Sequence, residues 1–126
     1  MLEIYFTNIK SIVQNYSPIF VDFSSNTIPY DEFEGFVAGK IVFLDGSILD
    51  FAEVKNIKVQ PKMKYRYHYM DKDKNLIFRY DNARHHKEID TFPHHKHIAN
   101  GIERSNEPNI ETIMKEIENI IKSKIK

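Results

Sequence analysis

The chain has 126 residues, of which 41% are hydrophobic, and this length and composition are typical of one globular domain with a sizeable core. It contains no cysteine, so disulfides, thiolate metal sites and thiol nucleophiles are excluded. Lysine plus arginine and aspartate plus glutamate number 18 each, which argues against a protein that coats nucleic acid. The N-terminus lacks the pattern of a signal peptide, and no apolar run is long enough to span a bilayer. We therefore expect a cytoplasmic protein with no membrane association and a single domain over residues 1–126.

The pattern predicts an amphipathic helix near each end of the chain. Apolar residues recur at helical spacing over residues 2–16, and Pro18 limits this helix because the residue before a proline avoids the helical conformation. A second apolar stripe covers residues 110–121, after a helix-start signal at Asn109.

Between the helices the sequence predicts β-hairpins. Asp45-Gly46 lies between two β-rich runs, and an Asp-Gly pair in that position is typical of a tight hairpin turn. A second hairpin is predicted around residues 72–75. We therefore expect an α+β fold, in which an antiparallel sheet of about five strands carries both helices on one face. The predicted strands cover residues 19–23, 33–44, 47–54, 63–70 and 76–80.

The second predicted hairpin brings basic residues together on one face of the sheet. Its register sets His68 opposite Arg79 and Arg66 opposite Asp81, while the alternating tyrosines face the core. Two guanidinium groups beside an imidazole suit a phosphate, because arginine binds phosphate oxygens bidentately and imidazole transfers protons near neutral pH. The alternative is a solvated strand face whose charges pair for at most about 1 kcal/mol each. The tyrosines are Tyr65, Tyr67 and Tyr69, and we expect Tyr80 in the core as well.

All six histidines lie between His68 and His97, and residues 62–97 contain nine lysines or arginines against five acidic residues. Regular structure is predicted to thin between residues 81 and 108, and a stretch of that length is typically functional or contains short elements. This region is therefore where we expect the functional site.

The histidine-rich stretch allows three interpretations. In the first, one histidine acts as a base and another as an acid, with Lys96 or Arg84 binding the phosphate. In the second, histidines bind zinc, nickel or copper, and Asp81 or Asp90 completes the ligand set, although the spacing matches no standard zinc motif. In the third, buried imidazoles tie the loop to backbone groups.

The segment KYRYHYMDKDKNLIFRYDNARHHKEIDTFPHHKHI resembles the signature block of the TumE-like toxins, which are toxin components of prokaryotic type II toxin–antitoxin systems. The family pattern of Y-x-Y-H-Y, L-I-F-R-Y-D-N, A-P-H-H and T-F-P-H-H-K-H is similar to residues 65–69, 76–82, 83–86 and 91–97. The hairpin FLDGSILDFAE at 43–53 is similar too, and the main departure is Arg84, where the family has proline. The resemblance covers nearly the whole chain. It implies a ribonuclease or another block of translation, and neutralisation by a cognate antitoxin.

The leading hypothesis is therefore a toxin that cleaves RNA by histidine acid–base chemistry without a metal or other cofactor. The alternatives are a nuclease that binds a divalent metal such as zinc or nickel through the histidines, and a non-catalytic module that binds RNA, the ribosome or a protein. The expected partners are a cognate antitoxin and RNA or the ribosome, and the sequence leaves a homodimer open. The predicted catalytic residues are His68 or His95 as base and His86 or His97 as acid, with Arg66, Arg79, Lys96, Arg84 and Asp81 binding the substrate.

Overall fold

The structure, a computed structural model, describes residues 1–83 and 92–124. These residues form an antiparallel sheet of seven strands that are neighbours in chain order, together with two helices. The α+β prediction is confirmed, except that the sheet has seven strands rather than about five. The elements are α1 (Leu2–Gln14), a 3₁₀ turn (Ser17–Ile19), β1 (Phe20–Pro29), β2 (Glu34–Phe43), β3 (Ile48–Asn56), β4 (Lys64–Met70), β5 (Leu76–Asp81), β6 (His95–Ile98), β7 (Gly101–Arg104) and α2 (Ile110–Ser123).

Both helices form where the apolar stripes predict them. α1 ends at Gln14, and Pro18 lies in the 3₁₀ turn that follows. α2 begins after Asn109, whose side chain accepts a hydrogen bond of 2.9 Å from the backbone N–H of Thr112. The Thr112 hydroxyl accepts one in return from the backbone N–H of Asn109, which completes a capping box. Neither described helix is long and apolar enough to cross a membrane. The stripes bury Leu2, Phe6, Ile9 and Val13 of α1 and Ile110, Ile113, Met114, Ile117 and Ile121 of α2.

The two additional strands lie where regular structure was expected to thin. β6 and β7 are four residues long each and form a small hairpin at the edge of the sheet. They escape prediction because His95–Ile98 is rich in histidine and lysine, so no apolar alternation marks it as a strand. β1 is also longer than predicted, since the polar residues 24–27 continue the strand beyond the apolar residues 19–23.

Both predicted hairpins are confirmed, and so is the predicted register of the second. Gly46 has a φ of +84°, the conformation that the Asp-Gly turn requires. In the second hairpin, His68 pairs with Arg79 and Arg66 with Asp81. The two faces of the sheet therefore differ along every strand, and we call the face under the helices the covered face and the opposite one the open face.

The covered face holds the core. Tyr65, Tyr67 and Tyr69 of β4 are buried there, as the alternation predicted. The Phe51 ring lies against Gly39 of the neighbouring strand, where any side chain would collide with it. The strands that carry the open-face charges are thus anchored by large aromatic rings on their other side.

Candidate active site

The open face of β4, β5 and β6 gathers the predicted site residues into two rows. In the first row, His68 pairs with Arg79, and Arg79 pairs with His97. In the second row, Arg66, Asp81 and His95 face one another in the same order. β6, which has little apolar pattern, thus adds two histidines to the basic residues that the β4–β5 hairpin brings together.

Asp81 is the centre of this arrangement. Its residue is only 4% exposed, and its carboxylate contacts three cationic or basic groups. Arg79 Nε lies 3.0 Å from Oδ2, His95 Nε2 lies 2.7 Å from Oδ1, and His97 Nε2 lies 3.6 Å from Oδ2. The backbone N–H of Ala83 also donates a hydrogen bond of 3.0 Å to Oδ1. A buried carboxylate requires such compensation, so Asp81 fixes the positions of the side chains around it.

His95 is buried with a residue exposure of 1%. Its Nδ1 lies 2.9 Å from the Pro93 carbonyl oxygen, and its ring meets the His97 ring edge-on at 4.9 Å between centroids. A general base must reach the proton that it removes. The burial of His95 therefore favours His68 as the base between the two histidines that the sequence had left open.

His68 lies half-buried at the other end of the first row. Burial lowers the pKa of its imidazole, and the positive charges of Arg79 and Arg66 lower it further, whereas Asp50 opposes them. Its Nδ1 is buried and has no hydrogen-bond partner among the described residues. An imidazole with a lowered pKa is neutral at pH 7, which is the state that a base requires.

His97 is the more accessible histidine of β6, with a quarter of its side chain exposed. Together with His68, Arg79 and Asp81 it lines a shallow depression on the open face. The base and acid candidates therefore share one solvent-accessible site that contains a guanidinium group.

Lys96 does not join this site. Its register partner is Tyr80, so its side chain lies on the covered face, away from Arg66 and Arg79. There Lys96 Nζ lies 2.9 Å from Glu116 Oε2 of α2, and Tyr80 donates a hydrogen bond of 2.7 Å to Glu116 Oε1. Burial lowers the pKa of Lys96, but the contacts with Glu116 and Tyr80 raise it more, so the net shift is upward. The register thus separates Lys96 from the arginines beside which it was predicted to bind phosphate. The core position of Tyr80 is confirmed.

Three of the predicted residues lie outside the described residues, and two acidic residues of β3 lie on opposite faces of the sheet. Arg84, His86 and Asp90 belong to residues 84–91, which are not described. Asp50 lies on the open face opposite His68. Glu53 is buried on the covered face, where Tyr5 and Tyr67 donate hydrogen bonds to it.

Three of the open-face groups could also hold a metal ion. The ligand atoms of Asp81, His95 and His97 all lie within 4.8 Å of one another. A histidine that ligates a metal commonly donates its other ring N–H to a carbonyl, and the contact between His95 Nδ1 and Pro93 has that form.

The fold and site together define an α+β protein whose open sheet face carries a compact group of arginine, histidine and aspartate. A family model described as Toxin TumE matches residues 9–125 of the 126-residue chain. The chain therefore belongs to the TumE family of toxins, and the resemblance of its central segment to that family is confirmed. No curated protein and no solved structure matches the chain.

Proposed function

We propose that this toxin is a ribonuclease that cleaves RNA without a metal ion. The observation that carries the proposal is the row of His68, Arg79 and His97 on three adjacent strands. Neighbouring strands lie about 4.8 Å apart, so the two histidine Cα atoms are about 10 Å apart with Arg79 between them. A phosphate bound by Arg79 then has one imidazole on each side.

The reaction needs one proton acceptor and one proton donor. His68 removes the proton of the RNA 2′-hydroxyl, whose oxygen forms a bond to the adjacent phosphorus. The bond from phosphorus to the 5′ oxygen of the next nucleotide breaks, and His97 gives its proton to that oxygen. The products are a 2′,3′-cyclic phosphate and a 5′-hydroxyl. Acid–base catalysis by positioned side chains contributes about 10²–10⁴-fold to the rate.

The charges of the site support these roles. The lowered pKa of His68 keeps its imidazole neutral and able to accept a proton. The carboxylate of Asp81 lies close to the His97 ring, with 3.6 Å between Oδ2 and Nε2, and helps to fix its position. Arg79 and Arg66 offer positive charge where negative charge grows on the phosphate, and this is usually the largest catalytic term.

Asp81 and His95 act in this scheme as positioning residues. Asp81 holds Arg79 through Nε at 3.0 Å and keeps His97 beside it on the next strand. Buried His95 contacts Asp81 from the opposite side at 2.7 Å. Their loss would disturb the positions of Arg79 and His97 from the neighbouring row.

Membership of a toxin family also supports a cognate antitoxin as partner, which we propose neutralises the toxin by covering the open face. The RNA target is either free or bound to the ribosome. Both partners would meet the surface that carries Arg66 and Arg79. An antitoxin with acidic side chains at its contact surface complements these charges.

A metal-dependent nuclease is the second candidate, and the geometry of Asp81, His95 and His97 favours it. Two imidazoles and a carboxylate with one accessible side suit zinc or nickel and leave a position for water. In that scheme His97 is a ligand rather than the acid, so a chelator would stop cleavage. Cleavage that continues in the chelator excludes this candidate.

Induced expression in a bacterial host tests the proposal. Wild type is compared with His68→Ala and His97→Gln, and with Lys115→Ala as a control that removes a positive charge from the exposed surface of α2. We expect growth arrest and RNA fragments from wild type and the control, and neither from the histidine variants. Folding is checked on the purified variants by circular dichroism. Growth arrest by folded histidine variants would contradict the acid–base scheme and favour a non-catalytic binding module.

A further inference from the structure

We propose that a second depression beside the catalytic row binds a nucleobase of the RNA by stacking on aromatic rings. This inference rests on the proposed ribonuclease function, because it assigns a part of the same substrate to the neighbouring surface. We call the surface the aromatic depression. Its lining includes the aromatic residues Tyr30 and Phe36, the basic residues Lys64 and Arg66 and the acidic residues Glu53 and Asp81.

Strand register explains the shape of the aromatic depression. Ala52 pairs with Arg66 across β3 and β4, so a small side chain leaves a low floor beside a guanidinium group. In the next row Phe36 pairs with Val54, which in turn pairs with Lys64. The floor therefore has an aromatic and aliphatic wall on one side and two cations on the other.

Tyr30 closes the aromatic depression from the turn between β1 and β2. Its backbone N–H donates a hydrogen bond of 2.8 Å to the Glu34 carbonyl. Asp31 Oδ1 accepts hydrogen bonds of 2.8 Å from the backbone N–H groups of Phe33 and Glu34, which fixes the turn further. The tyrosine ring is thus presented from an ordered turn, which reduces the entropy lost when a ligand stacks on it.

The exposure of this wall is unusual for apolar side chains. Tyr30 is 55% exposed, and Ile28, which pairs with Phe36, is 47% exposed. Exposed apolar side chains that adjoin one another and are bordered by polar residues are typical of a binding surface. The occupant must therefore offer a flat apolar surface together with negative charge.

A nucleotide of single-stranded RNA meets both requirements. Lys64 and Arg66 border the aromatic depression, and Arg79 and Asp81 line both this depression and the catalytic one. When one phosphate of an RNA chain lies on Arg79, the base of a neighbouring nucleotide therefore reaches the aromatic depression. Stacking of a base on an aromatic ring tolerates all four bases, and paired bases in a duplex offer no free ring face. We expect the toxin to prefer single-stranded RNA with little discrimination between bases at this position.

Binding measurements separate stacking from phosphate contacts. The probes are a fluorescently labelled single-stranded RNA 10-mer and a ribose-phosphate 10-mer of the same charge that has no bases. Both are titrated with a His68→Ala background that does not cleave, and fluorescence anisotropy gives the Kd. In this background Tyr30→Ala and Phe36→Leu are compared with Leu44→Ala, which removes an exposed apolar side chain elsewhere. Phe36→Leu keeps an apolar side chain of similar size but has no ring.

The proposal predicts a Kd for the RNA that is about 5- to 100-fold weaker in Tyr30→Ala, as expected for the loss of one stacked base. The base-free probe should bind both variants as it binds the background, and Leu44→Ala should change neither Kd. Unchanged RNA affinity in folded Tyr30→Ala and Phe36→Leu would overturn the proposal. If the same variants then lost affinity for the antitoxin, the surface would be a protein-docking site.

The measured RNA affinity does not depend on catalysis. The proposal of a base subsite and the proposal of a ribonuclease can therefore be contradicted independently. If wild type does not cleave RNA but Tyr30→Ala still weakens RNA binding selectively, the base subsite stands and the ribonuclease proposal fails. If wild type cleaves RNA and Tyr30→Ala binds it normally, the ribonuclease proposal stands and the base subsite is overturned.

Discussion

Charged side chains are paired differently on the covered and open faces of the sheet. On the covered face, Glu53 and Lys96 each have their own polar partners among the described residues. Glu53 accepts hydrogen bonds from Tyr5 and Tyr67, and Lys96 contacts Glu116. These groups are satisfied within the fold, and their role is structural.

On the open face, one carboxylate is shared among several groups. Asp81 contacts Arg79, His95 and His97, so the cationic capacity around it exceeds its single negative charge. Arg66 and His68 add further basic groups in the neighbouring strand. Part of this group is accessible to solvent, since Arg79 and His97 keep 40% and 25% of their side chains exposed. Alternate residues of the same strands therefore have different roles. Those on the covered face stabilise the fold, and those on the open face form the candidate site.

The largest expected effect is on His68, which the account makes the catalytic base. We expect His68→Ala to lower the rate of RNA cleavage by about 10²–10⁴-fold, because the 2′-hydroxyl loses its proton acceptor. Purified variant and wild type are compared on the same single-stranded RNA, after their melting temperatures have been checked. A folded variant that cleaves at the wild-type rate would remove His68 from the mechanism.

The second prediction compares two substitutions that each remove one positive charge, Arg79→Ala on the open face and Lys96→Ala on the covered face. Arg79→Ala should lower cleavage by about 10²–10³-fold, since it removes a stabilising group from the transition state. Lys96→Ala should leave cleavage by the folded protein within a factor of about three and cost about 1 kcal/mol of stability. Both are measured by cleavage kinetics and by denaturant unfolding. A large catalytic loss in Lys96→Ala would contradict the division between the faces.

The third prediction tests the covered face by stability. Tyr67→Phe removes a hydrogen bond to the buried Glu53 carboxylate and should lower the free energy of unfolding by about 1–3 kcal/mol. Cleavage per folded molecule should not change, because the open face is not altered. Urea unfolding and the cleavage rate are measured on the same preparation. If Tyr67→Phe lost cleavage but unfolded with the wild-type free energy, the structural role assigned to the covered face would be wrong.

The smallest effect concerns pH. Cleavage should fall as the pH drops through the lowered pKa of His68, because the protonated imidazole cannot act as a base. Asp50 raises that pKa, so Asp50→Asn should lower it and move the acid limb of kcat/KM to lower pH. Arg66→Gln should move the limb the other way, because this guanidinium lowers the pKa of His68. The pH profiles of the two variants and wild type provide the check, and a shift of either limb in the opposite direction would contradict the assignment of His68.

Much of the fold and half of the site follow from local sequence rules. The Asp45-Gly46 turn and the alternation in β4 predict both hairpins, and the loop length predicts the pairing of His68 with Arg79. These features depend on contacts close in the chain. β6 could not be predicted in this way, because its polar residues give no periodic signal.

The register of β6 decides the rest of the site. It places His97 on the open face and Lys96 on the covered face, although the two residues are adjacent in sequence. The burial of His95 is likewise invisible in the sequence, since histidine is common at the surface and in the interior. The role of Asp81 as the shared carboxylate becomes visible only when β5 and β6 are paired.

The central claim is that the open-face histidines cleave RNA, and the chemical ends of the product test it most directly. Purified toxin is incubated with a labelled single-stranded RNA in the presence of a chelator, and the fragment ends are identified by mass spectrometry. We expect fragments with 2′,3′-cyclic phosphate and 5′-hydroxyl ends from wild type, and none from His68→Ala or His97→Gln. Intact RNA after incubation with folded wild type, or cleavage that the chelator abolishes, would contradict the central claim.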